Sequence, residues 1–351
     1  MLKNLDLPTL LATLSLMVLS TIILKSIAPY IYPSYFIYLI LGILAYIIFS
    51  QIDFDVISLF SKHFFVVSVV LLVVTLIIGK VTRGAVRWIP VGVLSFQSAE
   101  FVRPFLLVFF ANRLTEQNLN AKKLFSIILL FLIPLGLILV QPSFGVALIT
   151  AAGFVGILLA ANIKKRYFLW IVLITMMAIP LLWTVLAPYQ KSRIVTFLNP
   201  ASDPLGKGYN SIQSKISVGS GKLFGRGLGK GVQTQLSFLP ERQTDFIFAS
   251  ISEEMGLVGG VLVLLGLFVI LWRLAIFMER SRGPSARAYL SGIFMAIFVQ
   301  VSIHIGMNMG LLPITGVPLP LLSAGGSSLL ATMIGLGIAN GAKKRYNIES
   351  K

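Results

Sequence analysis

The stretch Met255–Trp272, MGLVGGVLVLLGLFVILW, contains no charged side chain. As a helix rising about 1.5 Å per residue, it is long enough to cross most of the ~30 Å hydrocarbon layer of a bilayer. Apolar runs of similar length recur along the chain. They predict about ten transmembrane helices, near 8–27, 34–50, 63–79, 97–113, 124–141, 143–161, 167–187, 246–272, 287–310 and 325–341. The predicted fold class is an all-α polytopic membrane protein, with one transmembrane domain over 1–351.

The composition excludes a soluble protein. Hydrophobic residues make up 57% of the 351 residues and charged residues only 12%, whereas soluble domains carry about 25% charged residues. Cysteine is absent, so the chain forms no disulfide and no thiolate metal site. Neither His63 nor His304 belongs to an HxxH or HExxH pattern, which argues against a zinc site.

Basic residues cluster in alternate predicted loops and in the C-terminal tail. The positive-inside rule places these clusters and both termini in the cytoplasm. The rule also accounts for most of the net charge of +17, so no nucleic-acid partner is expected. Segment 187–246, between the seventh and eighth helices, is then a large extracytoplasmic loop.

The extracytoplasmic loop carries glycines alternating with basic residues. Its backbone N–H groups and cations are expected to surround an anion, as in phosphate-binding loops, although the pattern is not a Walker A motif. The alternative is a flexible linker that touches anionic lipid headgroups, but the aromatic residues Tyr209, Phe224 and Phe238 favour an ordered site. The candidate substrate-binding residues of this loop are Lys207, Lys222, Arg226, Lys230, Gln233 and Arg242.

Asp245 stands where the loop enters the eighth predicted helix, close to Arg242. It is the candidate catalytic residue, and the alternative role for an aspartate at this position is to cap the helix. Glu253 lies eight residues further on, about 80° round the helix and ~12 Å along its axis. Because intramembrane carboxylates are usually functional or paired, Glu253 is a candidate for holding a substrate rather than for sharing a reacting atom with Asp245.

Two further regions carry candidate substrate-binding residues. Glu100 and Arg103 are spaced for an ion pair inside the fourth predicted helix, and the alternative to a purely structural pair is the wall of a polar cavity. Trp88 lies in a segment expected at the outer membrane surface. Prolines and glycines make 311–326 a re-entrant or irregular segment, which must be buried in protein or line a wet cavity; Ser327 follows it.

Four motifs together resemble the SEDS family of shape, elongation, division and sporulation proteins, which are membrane peptidoglycan glycosyltransferases. They are GAVRWIPVG with FQSAEFVR (84–103), DPLGKGYNSIQSKISVGSGKLFGRGLGKGVQTQ (203–235), LPERQTDFIFASISEEMGLVGG (239–260) and NMGLLPITGVPLPLLSAGGSS (308–328). The resemblance covers essentially the whole chain in order. The lack of long cytoplasmic tails is more similar to the RodA branch, which serves elongation, than to the FtsW branch, which serves division.

The resemblance implies that lipid II is polymerised on the outer face of the bacterial cytoplasmic membrane. Asp245 matches the family's essential aspartate, Glu100 and Arg103 match a Glu and a Lys of the fourth-helix motif, and Trp88 matches the family's Trp. Four positions depart from the family pattern: Gln243 stands for His, Ser143 for Asp, Ala99 for Ser and Ser98 for Pro.

The chemistry of glycan polymerisation is compatible with these residues. A sugar hydroxyl that displaces undecaprenyl pyrophosphate needs one carboxylate as base, and the leaving group needs cations rather than a second acid. Asp245 is therefore expected to act as a base or to hold a divalent cation, Mg²⁺ or Mn²⁺. The expected partners are lipid II, membrane lipid and a class B penicillin-binding protein, the transpeptidase that the resemblance implies. The competing functions are a flippase for lipid-linked precursors and an inactive membrane scaffold.

Overall fold

The computed structural model describes residues 5–82, 85–92, 94–116, 119–161, 163, 166–167, 169–170, 173, 184, 188–206, 208–281 and 283–343. Most of the predicted helix at 167–187 lies outside these residues. The described chain is mainly helical, and six of its helices are long and apolar enough to cross a membrane. The chain is therefore an all-α polytopic membrane protein.

The first half of the chain contains helices and one small sheet. The elements are α1 Leu7–Ile27, α2 Tyr32–Gln51, α3 Phe54–Leu59, α4 Ser61–Ile78, β1 Lys80–Thr82, β2 Ala85–Val91, β3 Leu94–Phe96, α5 Ser98–Phe101, α6 Arg103–Leu114, α7 Ala121–Val140 and α8 Phe144–Ala160. Short 3₁₀ turns cover Pro29–Ile31 in this half and Pro200–Ser202 in the next.

The described part of the second half is helical. The elements are α9 Pro188–Leu198, α10 Tyr209–Ser220, α11 Val232–Gln235, α12 Ile247–Arg280, α13 Pro284–Asn308 and α14 Gly326–Ala342. Between α13 and α14, residues 311–325 contain no regular helix. The segment after 187 is not an extended linker, because α9, α10 and α11 fold within it.

Two predicted helices differ from the structure by an interruption or by more than three residues at one end. The prediction at 97–113 becomes α5 and α6, interrupted at Val102 just before Pro104, whose ring removes one backbone N–H donor from the first turn of α6. The helix that begins near 246 continues to Arg280 and is kinked at Gly256. A helix of 34 residues is longer than a bilayer core requires.

The sheet was not predicted from the sequence. Strands β1, β2 and β3 are antiparallel neighbours in that order, with Trp88 opposite Lys80 and Ile89 opposite Phe96. Only one of the three strands exceeds three residues, so the alternation of side chains is too short to distinguish a strand from a loop at the membrane surface.

Close helix packing depends on small residues. Helix α8 packs on α13 where Gly153 and Gly292 face each other, and an added Cβ on either would lie 3.3 or 3.0 Å from the other's carbonyl oxygen. Helix α14 packs on α2 in the same way, with Gly337 against the backbone of Tyr46. Small residues allow helices to approach closely where lipid supplies no hydrophobic driving force. This packing fixes α13 and α14, which carry much of the candidate site.

Candidate active site

The backbone of Asp245 is held by a buried amide. The Nδ2 atom of Asn308 donates to the Asp245 carbonyl at 3.0 Å and to the His304 carbonyl at 2.8 Å, and its Oδ1 atom accepts from the Ala249 N–H at 3.0 Å. Asn308 is fully buried. One side chain of α13 therefore fixes the residue that leads into α12, and Asp245 itself is only partly buried.

The segment before Asp245 is also tied to the irregular stretch before α14. The hydroxyl of Ser323 donates to the Thr244 carbonyl at 2.7 Å, and the N–H of Ala324 donates to the Gln243 carbonyl at 2.9 Å. These bonds use the main chain of 243–245. The backbone that carries the Asp245 carboxylate therefore has a defined position, although it stands at the end of a loop.

The irregular stretch passes directly beside the Asp245 carboxylate. Gly316 has a φ of +70°, and a Cβ at this position would lie 3.5 Å from Asp245 Oδ2. The neighbouring carbonyls are bound by α13, with Val317 O at 2.7 Å from His304 Nδ1 and Pro318 O at 2.8 Å from Gln300 Nε2. Buried polar groups of α13 thus satisfy backbone that forms no helix, as irregular backbone within a membrane protein requires.

Glu100 and Arg103 lie on the other side of the site, on α5 and α6, and both are buried. The Glu100 carboxylate lies close to Ser328 and within electrostatic range of Arg103, Arg87 and Asp245. Arg103 Nη1 is buried without a hydrogen-bond partner within the described part of the chain. The structure therefore brings together Asp245, Glu100 and Arg103, as candidate residues of one site.

Arg87 is a site residue that the sequence analysis did not select. It lies on β2 next to Trp88 and interacts electrostatically with Glu100. The sequence signal for it is a single cation within the apolar segment 84–89, which is expected at the membrane surface. Trp88 itself is partly buried on the same strand.

Ser327 connects the sheet to the first turn of α14. Its hydroxyl accepts from the Gln97 N–H at 2.8 Å and donates to the Ser95 carbonyl at 3.3 Å. It is buried. In this structure its hydroxyl therefore positions the start of α5, two residues before Glu100.

Glu253 anchors the loop. Its buried carboxylate accepts from the backbone N–H of Gln233 at 2.8 Å and of Thr234 at 3.0 Å. The adjacent Glu254 accepts from the hydroxyl of Ser26 at 2.6 Å and from the amide of Gln235 at 2.9 Å. The two intramembrane carboxylates are thus paired with protein groups. The Gln233 N–H, likewise, is occupied by Glu253.

The glycine-rich segment fits into a break in α12 at Gly256, where φ is +68° and ψ is −158°. Four backbone hydrogen bonds of 2.8–3.2 Å join the two: the N–H groups of Arg226 and Gly227 donate to Glu253 and Glu254, and those of Leu257 and Val258 donate to Lys222 and Leu223. The glycines allow two backbones to approach closely. The N–H groups of Arg226 and Gly227 therefore bind the helix rather than an anion.

The basic side chains of the loop have different surroundings. Those of Lys222, Arg226 and Lys230 are exposed, and Lys207 lies outside the described residues. Arg242 donates to the Ile27 carbonyl at 3.1 Å and to the Ser237 hydroxyl at 2.9 Å, which ties the loop to the end of α1.

The described residues contain no cluster of three or more His, Asp or Glu side chains that could hold a metal ion. A magnesium ion in a phosphate-processing site commonly has one or two protein carboxylates, with phosphate oxygens and water completing its shell. The single partly exposed carboxylate of Asp245 fits that donor set when the substrate supplies the phosphates.

The family model described as cell cycle protein, which covers FtsW, RodA and SpoVE, matches residues 3–347. This chain is a member of the FtsW/RodA/SpoVE family. The match includes every candidate residue named above.

Curated members of the FtsW/RodA/SpoVE family include close relatives of this chain. Peptidoglycan glycosyltransferase MrdB of Escherichia coli is 37% identical over 85% of this chain and 81% of its own length. Stage V sporulation protein E of Bacillus subtilis is 37% identical over 85% of this chain and 82% of its own length. The probable peptidoglycan glycosyltransferase FtsW of Coxiella burnetii is 36% identical, over 94% and 92%.

Solved structures of the family have the same fold. One, described as structural coordination of polymerization and crosslinking by a peptidoglycan synthase complex, aligns with a TM-score of 0.82 and 28% identity over 95% of this chain and 96% of that chain. The rod shape determining protein RodA of Thermus thermophilus aligns with a TM-score of 0.73 and 27% identity, over 96% and 95%.

Proposed function

We propose that this chain is a peptidoglycan glycosyltransferase that polymerises lipid II into glycan strands for cell elongation. Its relatives include proteins named peptidoglycan glycosyltransferase. The observation that supports the proposal is a carboxylate, that of Asp245, whose backbone is held by Asn308 and which lies within electrostatic range of Glu100. Transfer from a lipid pyrophosphate requires one such carboxylate as base.

The reaction joins two lipid-linked disaccharides. The 4-hydroxyl oxygen of one sugar attacks the anomeric carbon of the other, with inversion, and the bond from that carbon to the pyrophosphate oxygen breaks. The electron pair leaves with undecaprenyl pyrophosphate, and the hydroxyl proton passes to Asp245 as general base. Arg103 and Arg87 stabilise the charge on the leaving group, since preorganised cations favour a transition state in which charge develops.

The proposed alternative role for Asp245 is to bind a divalent cation, Mg²⁺ or Mn²⁺. The carboxylate and the pyrophosphate oxygens of the substrate would hold the ion. When bound, it would neutralise the leaving group as a Lewis acid. Arg103 and Arg87 would stabilise the same negative charge on the leaving group with their guanidinium groups.

The proposed location is the bacterial cytoplasmic membrane, with both termini in the cytoplasm. The basic clusters in alternate loops support this orientation, which places Asp245 and the segment after 187 on the outer face. The proposed partner is a class B penicillin-binding protein. The solved relative with a TM-score of 0.82 belongs to a complex described as coordinating polymerization and crosslinking.

Purified protein with its partner, supplied with lipid II, tests the proposal by the glycan strands formed. Wild type is expected to polymerise lipid II, and Asp245→Ala is expected to form none above background. Asp203→Ala is the matched control, because it removes another carboxylate of the same loop that lies outside the site. Full glycan formation by Asp245→Ala would refute the catalytic role, and flipping of lipid II without polymerisation by wild type would favour a flippase.

A further inference from the structure

An apolar groove of about 260 Å³ lies where the glycine-rich segment, residues 221–231, meets the break in α12. One wall of the groove comes from this segment, and the other comes from the turns of α12 that follow Gly256. The lining residues are Leu223, Phe224, Leu257, Val258, Val261 and Leu262. None of these side chains takes part in the chemistry proposed for Asp245.

The apolar side chains of the groove are exposed on the surface of the protein. Phe224 is 81% exposed and Leu223 is 59% exposed, while Leu257 and Leu262 on α12 are 58% and 48% exposed. A continuous apolar surface of this kind marks contact with a partner or with lipid. Because α12 is long and apolar enough to cross a membrane, this surface faces the hydrocarbon of the bilayer.

The groove lies at one end of the hydrocarbon-spanning part of α12. No charged side chain occurs from Met255 to Trp272, and Arg273 follows about 24 Å beyond Leu257 along the helix axis. That distance approaches the thickness of the hydrocarbon layer. The groove therefore begins at the depth where the acyl chains of a phospholipid join its headgroup.

Three exposed cations belong to the same segment as one wall of the groove. They are Lys222, Arg226 and Lys230. Lys222 and Arg226 flank the groove residues Leu223 and Phe224 in the chain. Among the residues that the structure describes, none of the three cations forms an ion pair with a carboxylate. Their charge is therefore available to an anion at the end of the groove.

The backbone holds these cations beside the groove. Lys222 and Arg226 are attached to α12 at its break by backbone hydrogen bonds of 2.8 and 2.9 Å. Lys230 folds back on the same segment, because its N–H donates to the Gly227 carbonyl at 3.1 Å. A Cβ on Gly227 would lie 3.4 Å from Lys230 Cδ. The segment thus presents its positive charge from a fixed main chain rather than from a flexible linker.

We propose that the groove binds an anionic phospholipid of the leaflet on the Asp245 side, which is the outer leaflet in the proposed orientation. Its phosphate would lie among Lys222, Arg226 and Lys230, and one acyl chain would follow the groove along α12. Basic residues at the membrane surface attract anionic headgroups. A transmembrane helix of a partner matches the groove less well, because closely packed helices need small residues and this lining is Leu, Val and Phe.

Photo-crosslinking with a phospholipid probe tests the proposal. A phosphatidylglycerol with a diazirine in one acyl chain is incorporated with the full-length protein into nanodiscs of dioleoylphosphatidylcholine, and the labelled peptides are mapped after irradiation. Labelling is expected in 222–224 and 257–262, about tenfold or more above that by a phosphatidylcholine with the same diazirine chain. Each basic residue contributes about fivefold to the binding of an anionic lipid. Arg226→Gln is therefore expected to lower labelling about fivefold, and the triple substitution of Lys222, Arg226 and Lys230 by Gln about a hundredfold.

Matched variants separate the charge from the shape of the groove. Lys215→Gln is the control for charge, because Lys215 is an exposed cation of α10 that lies against Gly310 and not in the lining. Val261→Trp fills the groove and is expected to reduce labelling. Leu265→Trp, on the exposed surface of α12 beyond the groove, is expected to leave it unchanged. The substituted side chains are exposed, so the variants are expected to fold, and thermal unfolding midpoints check this.

Four results would overturn the proposal. Equal labelling by the two headgroups would show that the groove does not select an anion, and undiminished labelling of the triple variant would show that the cations are not used. Displacement of the probe by about a tenth of its amount of farnesyl pyrophosphate would identify a polyprenyl ligand. Loss of labelling when the proposed transpeptidase partner is reconstituted in equal amount would identify a partner helix as the occupant.

Discussion

At the scale of single residues, Asn308 has a positioning role at Asp245. Its amide is fully buried and connects Asp245, Ala249 and His304, all through main-chain groups. The Asp245 carboxylate stands on backbone that enters a helix, so the direction of its side chain depends on that backbone. Asn308 therefore acts on the carboxylate without contacting a substrate.

Asn308→Ala is expected to lower both stability and turnover. It leaves the Asp245 carbonyl and the Ala249 N–H without their partner, and an unsatisfied buried group costs about 1–3 kcal/mol. The thermal unfolding midpoint and the kcat for glycan formation measure the two effects. Asn112→Ala is the control: Asn112 donates to Ser58 and Ser61 away from Asp245, so it is expected to affect stability alone. Equal kcat values per folded molecule for the two variants would contradict the positioning role.

Substitutions of Arg103 test whether the positive charge at this position or the shape of the guanidinium matters for polymerisation. We expect Arg103→Lys to retain most of the polymerisation rate, because a lysine also binds phosphate as a point charge. Arg103→Gln is expected to lower the rate by about tenfold to a thousandfold, as the loss of one transition-state donor typically does. Initial rates of glycan formation from lipid II measure both. Equal rates for the Lys and Gln variants would show that the cation at this position is not used.

At the scale of elements, the apolar spans were predictable and the loop's attachment was not. Long uncharged runs such as Met255–Trp272 indicate helices because lipid requires both their length and their composition. The break in α12 at Gly256 depends on hydrogen bonds from residues some thirty positions earlier in the chain, which no local pattern contains. The glycines of 221–227 suggested backbone N–H groups that surround an anion, whereas the N–H groups of Arg226 and Gly227 donate to carbonyls of α12.

Two glycine substitutions test the attachment of the loop to α12. Gly256→Ala is expected to destabilise the protein, because φ is +68° there and a Cβ would meet the backbone of Gly225 and Leu223. Gly219→Ala is the control: this glycine is on the exposed face of α10 with nothing within 4 Å of an added Cβ. It is expected to stabilise by about 0.4–1 kcal/mol. Thermal unfolding midpoints of both proteins in detergent are compared with that of wild type. A Gly256→Ala midpoint at or above that of wild type would rule out the attachment of the loop to α12 at Gly256.

At the scale of the whole molecule, α1 and α12 are joined near both of their ends. Near Asp245, Ser26 at the end of α1 binds Glu254, and Ile27 accepts from Arg242. At the opposite end, Asp6 caps α1 through Thr9 and accepts from Arg273 Nε at 2.9 Å. The two connections hold the first helix against the helix that follows Asp245. The ion pair between Asp6 and Arg273 thus stabilises the packing of α1 against α12 and takes no part in the chemistry of the site.

The pH dependence of stability tests the contact between Asp6 and Arg273 separately from the contacts near Asp245. Burial opposes the ionisation of Asp6, but hydrogen bonds from Arg273 and Thr9 outweigh it and lower its pKa below the usual value of 3.8. A pKa that is lower in the folded state contributes stability above the unfolded pKa, and this contribution is lost as the pH falls below about 4. Asp6→Asn should therefore unfold at a lower temperature than wild type at pH 7, with a deficit of about 1–3 kcal/mol for the charge-assisted bonds. The difference between the two proteins should shrink towards pH 3, because wild-type Asp6 then gains a proton and loses the same interaction.

Thermal unfolding of both proteins across this range measures the difference directly. The contributions of the other carboxylates to the pH dependence cancel, because both proteins share them. A gap between wild type and Asp6→Asn that stays constant from pH 7 to pH 3 would show that packing at the start of α1, rather than the charge of Asp6, holds the two helices together.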